Sequence, residues 1–227
     1  MRLKFIYVVM AITILVSVGI GVNYKSTYTD FNAQEKPLNN FAIALMSDGL
    51  LEMQIEVMEE SLQDSNIILA VRCKDNFSYH FACVTQQVEV LEVFRGESIK
   101  VGDIIDVARA STLVSMDKDA LINGKGMCNM GFVNEMVPGK IYLIYLDHRV
   151  TTHDEDVNIY IQSNEFILAP IFCYEEIENR PCEDLDGNCY VDYVDVEKNE
   201  FFLMSQEGID KITDFKKRLI SMYKYKT

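Results

Sequence analysis

The sequence predicts a mainly β domain, an antiparallel barrel or sandwich with one amphipathic helix at each end, preceded by one transmembrane helix. Three observations lead to this fold class. Five or more segments between residues 66 and 196 have the apolar pattern of strands, and no helical pattern separates them. Apolar stripes at helical spacing lie on both sides of these segments. An uncharged apolar run opens the chain.

The opening run, residues 5–22, contains 18 uncharged and mostly apolar residues. As a helix it would cover about 27 Å, close to the hydrocarbon thickness of a bilayer. Arg2 and Lys4 precede the run, which favours a cytoplasmic N-terminus with the rest of the chain exported. We interpret residues 1–25 as an uncleaved signal anchor. The alternative is a cleaved signal peptide, for which Ser17-Val18-Gly19 would be a poor cleavage site.

A polar, weakly patterned linker is predicted at residues 26–40, between the membrane and the domain. An amphipathic helix is then predicted from Ser47 or Asp48 to Gln63, with one of the first two residues as its cap. Its apolar stripe recurs at steps of four, three and four residues. The stripe consists of Leu51, Ile55, Met58 and Leu62.

The strand predictions rest on continuous apolar runs and on alternation. Residues 84–94 are rich in β-branched side chains, and their apolar phase changes from Val88 and Val90 to Leu91 and Val93. A phase change within one strand indicates a β-bulge, which is common where a sheet curls. The other predicted strands are residues 67–71, Ile105 with Val107, residues 141–146, Val157 with Ile159 and Ile161, residues 166–169, and residues 190–196.

The C-terminus is predicted to be an amphipathic helix with Ser205 as its N-cap. Its apolar stripe consists of Ile209, Ile212, Phe215, Leu219 and Met222. Cations near its end would complement the helix dipole, and they are Lys216, Lys217, Arg218 and Lys224.

The charge excludes one class of partner. The chain has 21 basic and 35 acidic residues, a formal net charge of −14. Residues 1–25 contain three of the cations and no acid, so the remainder has 18 basic and 35 acidic residues, a net charge of −17. Nucleic-acid binding requires clustered cations, so we expect no nucleic-acid partner. The acidity favours cationic or metal partners.

Six cysteines, none of them in the apolar run, predict disulfide bonds in an exported domain. We expect two local pairs, Cys73 with Cys83 and Cys182 with Cys189, each across a polar stretch. Cys128 with Cys173 then follows by elimination. A structural zinc site would need closely spaced cysteine pairs such as C-x-x-C, and the sequence contains none.

Four segments combine apolar runs with turns in one order along the chain. They are residues 64–71, 88–96, 101–107 and 138–146. This succession resembles uncharacterised bacterial surface proteins in which an export signal precedes a barrel. That barrel is similar to the OB-like fold of netrin modules and tissue inhibitors of metalloproteinases. The resemblance covers about residues 47–170 and implies an OB-like barrel for an extracytoplasmic domain at residues 41–227.

Two family features are missing from this chain. The inhibitors present an N-terminal cysteine to the protease zinc, whereas the first cysteine here is Cys73. Inhibition of proteases is therefore not implied. Bacterial lipoproteins of this type have a cysteine directly after the apolar segment, and this chain has none. We therefore expect a protein helix rather than a lipid to be the anchor.

A calcium site is the weaker alternative among the predicted sites. Asp184, Asp186 and Asn188 place oxygen ligands at alternate positions, as an EF-hand loop does. However, Gly187 is the fourth residue of the loop rather than the sixth, and the twelfth is Asp195, shorter than the usual glutamate. A second polar cluster that could hold a cation consists of Asp147, His148, His153, Asp154, Glu155 and Asp156.

No motif for a catalytic serine, a phosphate-binding loop, a dinucleotide fold or a helical zinc site is present, so an enzyme is unsupported. We predict a membrane-tethered extracytoplasmic module that binds an unknown extracellular protein or ligand. Residues 74–82 and 111–129 are its candidate contact regions. The alternatives are a calcium-stabilised surface protein and, less favoured, a secreted hydrolase that uses carboxylates.

Overall fold

The computed structural model divides the chain into two compact units, Met1–Glu35 and Lys36–Thr227. The structure describes residues 2–26, 29–80, 83–109, 114–122, 124–150, 158–162, 165–182 and 187–225.

The first unit contains the predicted apolar helix. Helix α1 spans Arg2–Ser26, and its segment Phe5–Lys25 is long and apolar enough to cross a membrane. A single 3₁₀ turn, Phe31–Ala33, follows it and is capped by Asp30, whose carboxylate accepts a hydrogen bond from the Asn32 backbone N–H at 3.0 Å. The sequence therefore correctly predicted one helix suited to a single membrane crossing.

The second unit combines strands with three α-helices in its described residues. The helices are α2 (Asp48–Ser61), α3 (Tyr193–Val196) and α4 (Gln206–Met222), with 3₁₀ turns at Pro37–Asn40 and Leu62–Asp64. The strands are β1 (Phe41–Ala44), β2 (Ile67–Cys73), β3 (Ser78–Tyr79), β4 (Val84–Arg95), β5 (Ile104–Arg109), β6 (Val114–Ile122), β7 (Lys125–Met130), β8 (Ile141–Leu146), β9 (His148–Arg149), β10 (Ile159–Ile161), β11 (Ile171–Cys173) and β12 (Tyr190–Asp192).

These strands form two sheets. The smaller sheet has the order β12-β1-β7-β6, and the larger follows the path β11-β8-β2-β4-β5-β10-β9, with β3 paired to β4. The prediction of a mainly β domain is confirmed. The expectation of antiparallel pairing throughout is wrong, because β1 pairs with β7 and β5 with β10 in parallel. Within the described strands the larger sheet is an open path, so the closed OB-like barrel stays a prediction.

The predicted bulge in β4 is confirmed. Opposite β2, Val90 pairs with Val71 and Glu92 pairs with Ala70, so Leu91 has no partner residue on β2. This is the position at which the apolar phase of the sequence changes. A second register shift follows towards the end of β4. An extra residue bends the strand and increases its twist, so these shifts curl the larger sheet.

The two long helices carry the predicted apolar stripes and meet near their N-termini. Ser205 caps α4, and its Oγ accepts a hydrogen bond from the Gly208 backbone N–H at 2.9 Å. The same hydroxyl donates to Oδ1 of Asp48, at the start of α2, at 2.6 Å. The stripe of α4 ends one turn earlier than predicted, because Met222 is 57% exposed.

Lys216 was predicted as one of the cations near the end of α4 that complement the helix dipole, but its side chain is buried. Its Nζ lies 2.5 Å from Oε2 of Glu200, and the two side chains are 9% and 3% exposed. The ammonium also donates to the backbone oxygen of Glu175, and Oε1 of Glu200 accepts the backbone N–H of Cys173 at 2.7 Å. A buried ion pair is tolerated only when such additional hydrogen bonds satisfy both partners.

Two predicted strands have a different structure. Residues 166–169 are irregular, because a side chain takes the place of a neighbouring strand: Oε1 of Gln54 on α2 accepts the backbone N–H groups of Ile167 and Leu168. The strand lies slightly later, at β11. Residues 190–196 are predicted as one strand, but only β12 is extended and α3 follows it at once. Val157 lies outside the described residues.

The connection between β7 and β8, residues 131–140, is anchored to the rest of the domain by Arg109. This guanidinium is 1% exposed and lies at the end of β5. Nη1 donates to the backbone oxygens of Met130 and Val133 at 2.8 and 2.5 Å, and Nη2 donates to that of Asn134 at 2.5 Å. Its cationic carbon also lies 4.9 Å from the ring centre of Phe77. Burial lowers the pKa of Arg109 to about 10, which leaves it charged at neutral pH.

Further along, the same connection bonds to two side chains from the larger sheet. The amide of Gln86 on β4 accepts the backbone N–H of Met136 and donates to its backbone oxygen, both at 2.9 Å. The hydroxyl of Tyr142 on β8 accepts the N–H of Val137 at 2.8 Å. Side chains thus satisfy those backbone groups of this largely buried connection that its backbone hydrogen bonds to neighbouring segments leave unpaired.

We expect Arg109→Met to destabilise the domain by about 3–5 kcal/mol, because it leaves three buried carbonyl oxygens without donors. Urea unfolding of the full chain, followed by fluorescence, measures this loss. Arg218→Met is the matched control: Arg218 is exposed and pairs with Glu59 at the surface, so its loss should cost less than about 1 kcal/mol. Equal unfolding midpoints for the two variants would contradict the anchoring role of Arg109.

Candidate functional site

A surface cleft of about 630 Å³ lies in the domain. Three segments form its walls: residues 133–142, which lead into β8, residues 176–180, and residues 194–200, which begin within α3. Its volume lies in the range of about 300–1,000 Å³ that is typical of ligand sites.

Two buried asparagines join the three walls. Nδ2 of Asn134 donates to the backbone oxygens of Glu197 and Asn199, at 2.9 and 2.8 Å. Nδ2 of Asn199 donates to the backbone oxygen of Arg180 at 2.7 Å, and Oδ1 of Asn199 accepts the N–H of Arg180 at 3.3 Å. Each wall is therefore bonded to the next, and the cleft is preformed.

Glu135 places a partly buried carboxylate in this cleft. Its Oε2 accepts the backbone N–H of Phe77 at 3.4 Å, and its Oε1 accepts the Tyr193 hydroxyl at 3.5 Å. Both contacts are long for hydrogen bonds to a carboxylate. No lysine, arginine or histidine in the described ranges lies within ion-pairing distance of it. Burial raises the pKa of Glu135, and the more distant Arg109 charge only partly offsets this.

The charges that line the cleft are mostly acidic. Two of its three cations are already paired: Lys140 bonds to Glu175 at 2.7 Å, and Arg180 bonds to Glu178 at 3.1 Å. Lys198 is the third cation. The acidic lining residues are Glu135, Glu176, Glu178, Asp195, Glu197 and Glu200. Glu200 is neutralised by buried Lys216, and Glu197 pairs with Lys36 at 3.5 Å. Glu135, Glu176 and Asp195 still outnumber Lys198, so an excess of negative charge remains among the lining residues.

The cleft also has apolar walls. Val137 and Val194 lie on different segments and are 45% and 47% exposed, although both are β-branched aliphatic residues. Ile177, on the segment of residues 176–180, also lines the cleft. The site can therefore bury a short aliphatic chain as well as a polar group.

The predicted disulfides are absent: all six cysteines lie in the described residues, and none is disulfide-bonded. Strand register excludes the first pair. Cys73 lies opposite Val88, and Cys83 precedes Val88 by five residues along the same strand direction. Five extended residues cover about 16 Å, whereas a disulfide requires Cα atoms less than about 7 Å apart.

The other two predicted pairs are also wrong. Cys128 lies on β7 in the smaller sheet, while Cys173 lies on β11 in the larger one. Cys182 and Cys189 are held by hydrogen bonds to different segments. The backbone N–H of Cys182 donates to the backbone oxygen of Leu203, and the backbone oxygen of Cys189 accepts the N–H of Leu45. Burial raises the pKa of Cys73 and Cys128 to about 12 and that of Cys182 to about 11. These side chains serve as small apolar core residues.

The predicted calcium loop is only partly within the described residues. Asp184 and Asp186 lie outside the described residues, and Asn188 is exposed. His153, Asp154, Glu155 and Asp156 also lie outside them, while His148 bonds to Asp147 at 2.9 Å. In the part of the chain that the structure describes, no three His, Cys, Asp or Glu side chains are grouped to hold a metal ion. The calcium hypothesis stays a prediction.

The cleft differs from the contact regions predicted from sequence. In the first of these regions, the ring of Phe77 packs on Arg109, and its backbone N–H donates to Glu135. Phe77 therefore contacts a residue of the cleft lining without lining the cleft itself. Residues 81–82 of the first region and residues 111–113 and 123 of the second lie outside the described part, so both regions are only partly placed. Sequence reasoning missed Asn134 and Glu135. The signal that could have found them is two polar residues enclosed by the apolar run Phe132-Val133 and Met136-Val137.

No protein-family model matches this chain, and no curated protein is similar to it in sequence. The resemblance to netrin-like barrels stays a prediction.

We expect Glu135→Gln to stabilise the domain at neutral pH, because it removes a carboxylate whose charge burial disfavours. The pKa of Glu135 is raised in the folded state, so the folded protein binds this proton more tightly than the unfolded chain. The ordinary pKa of a glutamate side chain is 4.5, and that of Glu135 is higher in the folded protein. The contribution of Glu135 to stability therefore falls as the pH rises from 4.5 through this raised pKa. Urea unfolding of both proteins between pH 4 and pH 7 should show a difference that grows with pH. A constant difference, or a less stable variant, would refute this.

Proposed function

We propose that the protein is a membrane-tethered, extracytoplasmic binding module that holds a partner in the cleft formed by residues 133–142, 176–180 and 194–200. The observation that carries the proposal is the preformed cleft itself, in which Asn134 and Asn199 fix the walls. A site with fixed walls loses little conformational entropy when it binds, which favours recognition.

The resemblance to OB-like barrels supports the same function. Barrels of this type bind through their connecting loops and one sheet face. In this domain the cleft lies among connections: one follows β7, one follows β11 and one follows β12.

The proposed location rests on α1. Its apolar segment suits a membrane crossing, and Arg2 and Lys4 before it favour a cytoplasmic N-terminus with the domain outside. The absence of disulfides is compatible with an oxidising compartment. The reactive form of cysteine is the thiolate, and burial raises the pKa of four core thiols so that they stay protonated.

The topology is tested with two fusions at the C-terminus of the full chain. One carries alkaline phosphatase, which is active only outside the cytoplasm. The other carries a fluorescent protein that matures only inside the cytoplasm. We expect phosphatase activity and a membrane-bound fusion. A control that deletes residues 5–22 should lose both. A fluorescent but phosphatase-negative chain would overturn the proposed orientation.

Cleft occupancy is tested with a photo-crosslinking amino acid in place of Val194 in the full chain, expressed in cells. Val101 is the matched control, because it is a valine that is 66% exposed and lies in the turn before β5, outside the cleft. We expect a discrete crosslinked adduct from position 194 that is absent from position 101. Identical adducts at both positions, or none at position 194, would contradict binding in the cleft.

A further inference from the structure

We infer that the occupant of the cleft is a lysine or arginine side chain from an extended segment of a partner protein, with the Glu135 carboxylate as its counter-ion. This inference rests on the proposed function and specifies the chemistry of the partner.

The first argument is the state of Glu135. Its carboxylate is partly withdrawn from water, yet it accepts only two long hydrogen bonds, from Phe77 and Tyr193. A partly desolvated carboxylate without a close cation is unfavourable, and a cation that arrives with its ligand would compensate for the lost hydration. Arg109 acts on Glu135 only from a distance: the backbone oxygens of Met130, Val133 and Asn134 hold its two terminal nitrogens, and it forms no ion pair with this carboxylate.

The second argument is the sign of the surrounding charge. Lys140 and Arg180 are engaged by Glu175 and Glu178. Of the remaining lining charges, the carboxylates of Glu135, Glu176 and Asp195 outnumber the one cation, Lys198. An anionic ligand would meet repulsion from these carboxylates. A cationic segment would be attracted during approach and neutralised on binding.

The third argument separates an organic cation from a metal ion. Among the described residues no three His, Cys, Asp or Glu side chains are grouped as a metal site of such ligands requires. Instead, Val137 and Val194 expose aliphatic surface beside the carboxylates. Lysine and arginine combine an apolar stem with a charged head, so the stem can pack on the valines while the head reaches Glu135. The volume of about 630 Å³ also leaves room for the residues on either side.

The test uses the full chain in phosphatidylcholine nanodiscs, which carry no net charge, and a fluorescent peptide of alternating lysine and alanine. Two matched peptides replace lysine with glutamate or with acetyl-lysine. Fluorescence anisotropy should show binding of the lysine peptide only. Glu135→Gln should weaken it about tenfold or more, which corresponds to about 1.4 kcal/mol. Glu59→Gln, which makes the same change of charge at a surface ion pair outside the cleft, should change binding less than about twofold.

Several outcomes would overturn the inference. Binding of the acetyl-lysine or glutamate peptide would show that no cation is selected. Equal weakening by Glu59→Gln and Glu135→Gln would show general attraction to an acidic surface. Absence of peptide binding, together with a specific adduct at position 194, would leave the cleft as a binding site and reject a cationic occupant. Absence of both would reject the proposed function as well.

Discussion

The connection between β7 and β8 is the constraint on which the rest of the domain depends. Residues 131–136 are largely buried and belong to no strand. The backbone of residues 131–134 pairs in part with residues 169 and 200–202, and the remaining backbone groups need donors and acceptors from side chains. Arg109 supplies donors to three carbonyl oxygens from one rigid planar group, and Gln86 satisfies both backbone groups of Met136. A lysine at position 109 would offer a single nitrogen and could not span the same three oxygens.

The same connection holds the partly buried carboxylate of Glu135 in position. Glu135 lies between Asn134, whose side chain joins the cleft walls, and Met136, whose backbone is bonded to Gln86. Neither neighbour can move without breaking buried hydrogen bonds, so the backbone of Glu135 is fixed and its side chain starts from the cleft wall. Proteins commonly retain such local costs where a site needs the group, and compensate for them elsewhere in the fold. Here the compensation lies in the side-chain bonds that fix the connection.

Sequence periodicity predicted the features that depend on local order. The stripes of α2 and α4, the Ser205 cap, the main strands and the bulge at Leu91 all follow from spacing along the chain. It failed where the partner is distant in sequence: Lys216 looks like a helix-end cation until Glu200 is placed beside it, and residues 166–169 look like a strand until Gln54 bonds to them. The cleft belongs to this second group. Its walls come from three separate segments, so no single stretch of sequence reveals it.

The cysteines show why an even count is weak evidence for export. Small secreted domains need disulfides because their cores are too small to be stable alone. This domain packs two sheets and two long helices and contains an extensive apolar core, and four of its cysteines are buried side chains, two of them in that core. The argument for export therefore rests on α1 alone. If α1 is the anchor, it also matters for binding, since a tether confines the cleft to one membrane surface and raises its effective concentration towards partners there. A cleft that recognises one cationic side chain needs only modest intrinsic affinity under that condition.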